Sequence, residues 1–150
     1  MDFEFTEEQN MIRTTVRDFA EKELAPVARD NNSNERFPEE LVKKIGEMGL
    51  LGLNLPVEHG GGGADYISYC AMLEELGRVD MGMSVTISVH LSLAGKTILG
   101  WGTDKQKQKY LPRLASGEIL GCLATTEANV GSDVSSIETS AVLHGDEWVL

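Results

Sequence analysis

Thr6-Glu7-Glu8-Gln9 and Thr103-Asp104-Lys105-Gln106 share one pattern, a threonine answered within the same tetrapeptide by a glutamine. The hydroxyl takes an orphan N–H of a first helical turn while the glutamine reaches back to the threonine N–H, so each tetrapeptide marks a helix start. The chain must therefore be organised around helices. After the first start, Ile12, Val16, Phe19 and Leu24 recur at helical spacing with Arg13, Arg17, Asp18 and Glu21 on other faces, and Pro26 predicts an end or a kink. Asn31-Asn32-Ser33-Asn34 reads as a polar connector. Pro38 suits the first position of a second, shorter helix striped by Leu41, Ile45 and Met48 and closed by Gly49. Leu50 to Leu55 is an apolar run that enters Pro56 and a permissive loop, Gly60 to Gly63. Asp65 caps a third helix with Tyr66, Tyr69, Cys70, Leu73 and Leu76 as its apolar members, ending near Gly77.

Residues 81–99 pull two ways. Val85, Ile87, Val89, Leu91 and Leu93 alternate with Thr86, Ser88, His90 and Ser92 at the period of a strand. Yet the segment is long, its polar members are small enough to pack between helices, and the second helix start follows directly. Lys105 to Leu111 reads as a polar helix closing at Pro112, with a turn at Ser116-Gly117. Beyond Gly117 the pattern turns β-like. Ile119 to Thr125, Ile137 to Leu143 and Trp148 to Leu150 read as short strands, the last two joined by a His144-Gly145-Asp146 turn. The final strand has no partner strand after it, so a β domain that has only begun is the expectation.

Charge and composition narrow the function classes. The 150 residues carry 24 acidic against 13 basic side chains, a formal net charge of −11. Nucleic-acid binding proteins carry the opposite field, which argues against DNA or RNA as a partner. Small anionic ligands remain open, since local donors can outweigh a global field. The acidic start, Met1-Asp2-Phe3-Glu4-Phe5, lacks a basic n-region and an apolar h-region, and residues 81–99 are too polar to span a bilayer. No membrane association and a cytosolic or organelle-matrix setting are expected. Cys70 and Cys122, far apart and outside any CxxC pair, are expected to be free, buried thiols.

Most candidate sites have a plain structural reading. His59, His90 and His144 share no metal-ligand spacing. Gly60 to Gly63 lacks the Lys-Ser/Thr of a phosphate loop, which favours a flexible turn. Glu7-Glu8, Glu39-Glu40 and Glu74-Glu75 read as helix starts and solvated faces. The segment Leu123-Ala124-Thr125-Thr126-Glu127-Ala128-Asn129-Val130-Gly131-Ser132-Asp133 differs in kind. Small residues run into a polar turn, so backbone N–H groups and the Thr126 and Ser132 hydroxyls can face a flat heterocycle or a phosphate. The competing reading is a strand-to-loop transition whose hydroxyls only satisfy local backbone.

Across all 150 residues the sequence resembles the flavin-dependent acyl-CoA dehydrogenase family. The resemblance is carried by Phe5-Thr6-Glu7-Glu8-Gln9, by Gly49-Leu50-Leu51-Gly52-Leu53 leading through Pro56 to His59-Gly60-Gly61, and by Leu73-Glu74-Glu75-Leu76-Gly77-Arg78. It continues through Gly102-Thr103-Asp104-Lys105-Gln106-Lys107-Gln108-Lys109-Tyr110-Leu111-Pro112 and Ala115-Ser116-Gly117-Glu118. Its most specific element is Thr126-Glu127-Ala128-Asn129-Val130-Gly131-Ser132-Asp133, similar to the family signature Thr/Ser-Glu-Pro-x-x-Gly-Ser-Asp. The run Ser84 to Ser92 is similar to short-chain members.

The resemblance implies a mainly α chain: an N-terminal helical domain over residues 1–117, with residues 81–99 helical, then the first strands of a middle, FAD-binding β-barrel domain over 118–150. It implies α,β-desaturation of a short- or medium-chain acyl-CoA in fatty-acid or branched-chain amino-acid catabolism. In that reaction a Glu removes the Cα proton, hydride leaves Cβ for flavin N5, and electrons pass to an electron-transferring flavoprotein. The family pattern assigns the Thr126 hydroxyl to flavin N5 and the backbone at Leu123, Ala124 and Thr125 to the pyrimidine edge. Gly131 joins the cofactor site, and Ser132 meets the FAD pyrophosphate or the CoA pantetheine. The implied whole protein is a homotetramer, cytoplasmic in a bacterium or else in the mitochondrial matrix. Ala128 stands where the family usually has Pro, which loosens the turn. The catalytic base is expected beyond residue 150, Glu127 being a turn residue, so the chain alone is expected to be inactive. Two other readings stay open: a non-catalytic helical binding or assembly module, and a flavin oxidase of the same superfamily.

Overall fold

A computed structural model of the chain describes residues 4–150. Helix α1 (Glu7–Phe19) opens with the expected reciprocal cap: Gln9 N–H donates to the Thr6 hydroxyl at 3.2 Å, and Thr6 N–H donates to Gln9 Oε1 at 3.0 Å. Pro26 neither ends nor breaks the helix. A π-helical turn, Ala20–Leu24, widens the ladder just before it, and α2 (Ala25–Ser33) carries on through the residues expected to be a connector. The wide turn accommodates a residue that has no N–H to give and whose ring crowds the preceding turn. Pro38 stands one position earlier than expected, as the cap of α3 (Glu39–Glu47). Gly49 takes the left-handed conformation predicted for it, φ 75°.

A 3-10 turn at Leu50–Gly52 and another at Val57–His59 lead to α4 (Tyr66–Gly77), capped by Asp65. Tyr66 and Cys70 face solvent instead of the core, and Cys122 is exposed as well; both thiols are free, but neither is buried. Residues 81–99 are helical, as α5 (Met81–Ser88), a π-helical stretch Val89–Gly95, and α6 (Lys96–Trp101). Their strand-like alternation arises because the small polar residues are absorbed either against α4 or by carbonyls one turn back in their own helical segment. Ser84 Oγ donates to the Leu73 carbonyl at 2.9 Å, Ser88 shares a 2.9 Å bond with the Tyr69 hydroxyl, and Ser92 Oγ donates to the Ser88 carbonyl at 2.7 Å. Met83, Ile87 and Leu91 meanwhile enter the core.

Helix α7 (Asp104–Ser116) starts on the second reciprocal cap and runs past Pro112 to close at Gly117, φ 77°. Leu111, Leu114 and Ala115 bury the last turn in the core, so the one helical hydrogen bond lost at Pro112 does not end the helix. Thr103→Ala removes the hydroxyl that accepts Gln106 N–H and is expected to cost about 1 kcal/mol of stability, read as a lowered urea midpoint.

The shared core joins Val16, Phe19 and Leu24 to Leu41 and Ile45, and these to Leu51, Leu55, Met72, Leu76, Ile87 and Leu91. Beyond Gly117 regular structure is sparse. A 3-10 turn at Val134–Ser136 precedes an antiparallel pair, β1 (Val142–His144) and β2 (Glu147–Val149), in register Leu143 opposite Trp148. Residues 119–125 and 137–141, read as strands from sequence, form none, because a strand needs a neighbour for its N–H and C=O groups.

Candidate functional site

Residues 119–133 leave the core at the left-handed Gly117 and are tied down at their start and their end. Ile119 N–H donates to the Arg113 carbonyl at 3.3 Å, and Gly121 N–H donates to the imidazole Nδ1 of His90 at 3.0 Å. At the far end, Glu127 and Val130 close a tight turn by exchanging backbone hydrogen bonds of 2.9 and 3.3 Å, and Val130 is buried. The Glu127 carboxylate accepts from the backbone N–H groups of Glu138 and Thr139, each at 2.9 Å. Hydrogen bonds from the Thr139 side chain and from these N–H groups hold its carboxyl below the usual range. Both oxygens are committed to holding the loop, so Glu127 has the turn role expected of it. Asp133 is likewise engaged, by the Ser135 and Ser136 hydroxyls.

Between these anchors the character reverses. Leu123, Ala124, Thr125 and Thr126 are exposed, and among the described residues no protein acceptor takes their backbone N–H groups. The hydroxyls of Thr125, Thr126 and Ser132 meet no partner among the described residues either. The competing reading, in which these hydroxyls satisfy local backbone, is therefore not what the chain does. Gly131 supports the same view. Its φ is not left-handed, and a Cβ built on it meets no atom within 4 Å, so nothing inside this chain requires a glycine there. What remains is a run of exposed, unpartnered donors followed along the chain by a glycine with open space at its Cβ position, a donor set suited to a flat, acceptor-rich heterocycle and its phosphates.

The other sequence candidates resolve differently. In the glycine loop, N–H groups of Gly60, Gly61, Gly62, Gly63 and Ala64 donate to the carbonyls of Val57, Pro56, Gly52, Leu55 and Leu53, leaving no donors for a phosphate. The loop is a fixed turn and not the flexible one expected. Among the described residues no cluster of His, Cys, Asp or Glu is arranged to hold a metal ion, and no helix is long and apolar enough to cross a membrane. Glu75 overturns the expectation of a solvated face. It is 2% exposed and accepts from Arg13 at 2.9 Å, Arg17 at 2.6 Å and Arg78 at 3.3 Å. The hydrogen bond from Gly121 N–H to His90 is an anchor of this segment that the spacing of residues did not reveal; a lone histidine in an apolar, small-residue helix was the available signal.

The family model for the acyl-CoA dehydrogenase N-terminal domain matches residues 6–118. The chain is 45% identical over 150 residues to the short-chain specific acyl-CoA dehydrogenase of Clostridium acetobutylicum, covering 100% of this chain and 40% of that protein. It superimposes with a TM-score of 0.95 and 42% identity on a chain of the structure described as the electron transferring flavoprotein of Acidaminococcus fermentans, covering 99% of this chain and 39% of that one. An acyl-CoA dehydrogenase complexed with FAD from Bacillus anthracis gives a TM-score of 0.87 at 37% identity, covering 95% of this chain and 24% of that one. The chain thus spans about two fifths of the length of the curated relatives it matches.

Proposed function

The chain belongs to the acyl-CoA dehydrogenase family, and from that premise we propose that it is the N-terminal portion of an FAD-dependent enzyme that desaturates a short- or medium-chain acyl-CoA at its α,β bond. Residues 1–117 are its helical domain and 118–150 open the FAD-binding β domain. The observation that carries this reading is the run of uncommitted donors at Leu123 to Thr126 beside Gly131 and Ser132. The backbone N–H groups of Leu123, Ala124 and Thr125 would hold the polar edge of the flavin ring, the Thr126 hydroxyl its central nitrogen, and Gly131 and Ser132 the pyrophosphate side, Ser132 also serving the CoA substrate. When bound, FAD supplies the acceptor for the hydride that leaves the acyl chain.

This chain's own residues bind and orient. Fixed donors stabilise negative charge on a bound ring without reorganising, and the Glu127 turn keeps the row from shifting. No carboxylate of the loop can serve as base, because Glu127 and Asp133 are spent on local hydrogen bonds. By the family resemblance the base would belong to a part of the enzyme outside residues 1–150, and the 150 residues alone are expected to show negligible turnover. The likeness to the Acidaminococcus fermentans chain supports an electron-transferring flavoprotein as electron acceptor. A soluble homotetramer, cytoplasmic or in the mitochondrial matrix, completes the proposal.

Thr126→Val in the intact protein removes one donor while keeping volume. FAD retention is expected to fall about tenfold, the equivalent of one hydrogen bond, with a shifted flavin absorption spectrum. Retention and spectrum unchanged from the parent protein would overturn the assignment.

A further inference from the structure

We infer that His90 is a positioning residue for the flavin-site segment, setting the register of residues 121–126 through a hydrogen bond to the Gly121 backbone; this rests on the proposed site at Leu123 to Thr126. His90 is 1% exposed and lies in the π-helical stretch Val89–Gly95, whose widened ladder is a local departure that recurs at functional sites. Its two ring nitrogens have separate jobs. Nδ1 faces Gly121 N–H at 3.0 Å, and since a backbone N–H can only donate, Nδ1 must carry a lone pair. Nε2 sits 3.1 Å from each of the Leu51 and Leu114 carbonyls, so it must carry the proton. The ring is therefore neutral in a single tautomer. It links the Leu50–Gly52 turn, helix α7 and the start of the site segment.

Steric fit fixes the same point independently. A Cβ built on Gly121 falls 2.4 Å from Ala94 Cβ and 3.1 Å from Leu114 Cδ2, so the Gly121 backbone lies directly on the π-helical stretch, one turn from His90. The first uncommitted donors, at Leu123 and Ala124, follow within a few residues. An anchor this near to a row of donors decides where each N–H points. Without the Nδ1 acceptor, Gly121 N–H would be left without a partner and residues 121–126 would be held only by Ile119 and by the Glu127 turn.

Two substitutions separate the two ring functions. His90→Asn places its amide oxygen where Nδ1 was and keeps an acceptor for Gly121, but gives up the reach to Leu51 and Leu114. His90→Gln places its amide nitrogen where Nε2 was and does the opposite. In the intact FAD-containing protein, amide hydrogen exchange at residues 121–126 is expected to rise at least tenfold in His90→Gln relative to His90→Asn. FAD retention should fall in the same order whatever the two melting temperatures are. Equal exchange in the two variants, or retention that follows melting temperature instead of the Gly121 bond, would overturn the inference. Exchange that separates the variants while Thr126→Val leaves FAD retention unchanged would uphold the His90 anchor and reject the flavin reading of the segment.

Discussion

Glu75→Ala is expected to destabilise the fold by about 3 kcal/mol, chiefly by unfastening α1 from α4. The carboxylate is buried, and Arg13 and Arg17 reach it from α1 while Arg78 reaches it from the end of its own helix. Arg78 also holds Glu21 at 2.7 Å, and at the other end of the same helix pair Gln9 donates to Asp65 at 2.7 Å. The packing of α1 on α4 is therefore set by polar contacts at both ends of an apolar seam. Exposed pairs such as Lys22 with Asp18 contribute little by comparison. The Arg17 hydrogen bond is the main reason that the Glu75 carboxyl is held at about 2, down from 4.5, with desolvation opposing and Arg13 and Arg78 adding to it.

A carboxyl depressed on folding stabilises fully above its unfolded value, and that contribution disappears as the pH falls from about 4.5 through about 2. The shift corresponds to roughly 3 kcal/mol between neutral pH and the acid limit. Glu75→Gln keeps the shape and removes the titration. Urea denaturation at pH 7 should then show a deficit of about 2–3 kcal/mol in the variant, shrinking to about 1 kcal/mol near pH 2.5 and towards zero only below about 2. A deficit of equal size at both pH values would mean that packing, and not the charge on Glu75, fastens the helices.

How far the sequence shows this structure depends on whether a residue's partner is local. The caps at Thr6, Asp65 and Thr103 and the left-handed Gly49 answer to atoms within a turn or two and stand as read from the sequence, whereas Gly117, read only as part of a turn, is the left-handed close of α7. Glu75 could not be placed that way, because two of its arginines come from another helix and its neighbour Glu74 offers the same local chemistry. The strand-like rhythm of residues 81–99 misleads for a related reason: the partners that bury Ser84 and Ser88 lie on α4, outside any window of the segment itself. Pro26 and Pro112 are breakers on local grounds, and tertiary burial of Leu24, Leu111 and Leu114 carries the helices across them. At the candidate site, the polar signature Thr126 to Asp133 stood out in the sequence, whereas the anchor at Gly121 required knowing where His90 points.

Gly61→Ala is expected to cost about 3 kcal/mol, at the upper end for overpacking, although the glycine loop has no ligand to bind. A Cβ on Gly61 falls 2.2 Å from the Leu55 carbonyl oxygen, 2.5 Å from its carbon and 2.6 Å from its Cβ. These are backbone atoms and the root of a side chain, so no rotamer change relieves the contact. Leu55 cannot retreat either, being fully buried, accepting Gly63 N–H at 2.9 Å and lying against Gly95 of the π-helical stretch. The displacement must therefore move either the loop or the helix that carries His90. Two neighbours separate sterics from backbone preference. Gly60 has φ 80° but its built Cβ meets nothing nearer than 3.8 Å, so Gly60→Ala carries only the left-handed penalty of about 1 kcal/mol. Gly131 has neither constraint, and Gly131→Ala should leave the melting curve within about 0.5 kcal/mol of the parent. Urea titrations of the three variants should rank Gly61 well above Gly60 and Gly60 above Gly131. A Gly61→Ala protein as stable as Gly60→Ala would show that the loop can part from Leu55. If Gly131→Ala loses FAD with its stability intact, the missing side chain at 131 is there for the ligand and not for the fold.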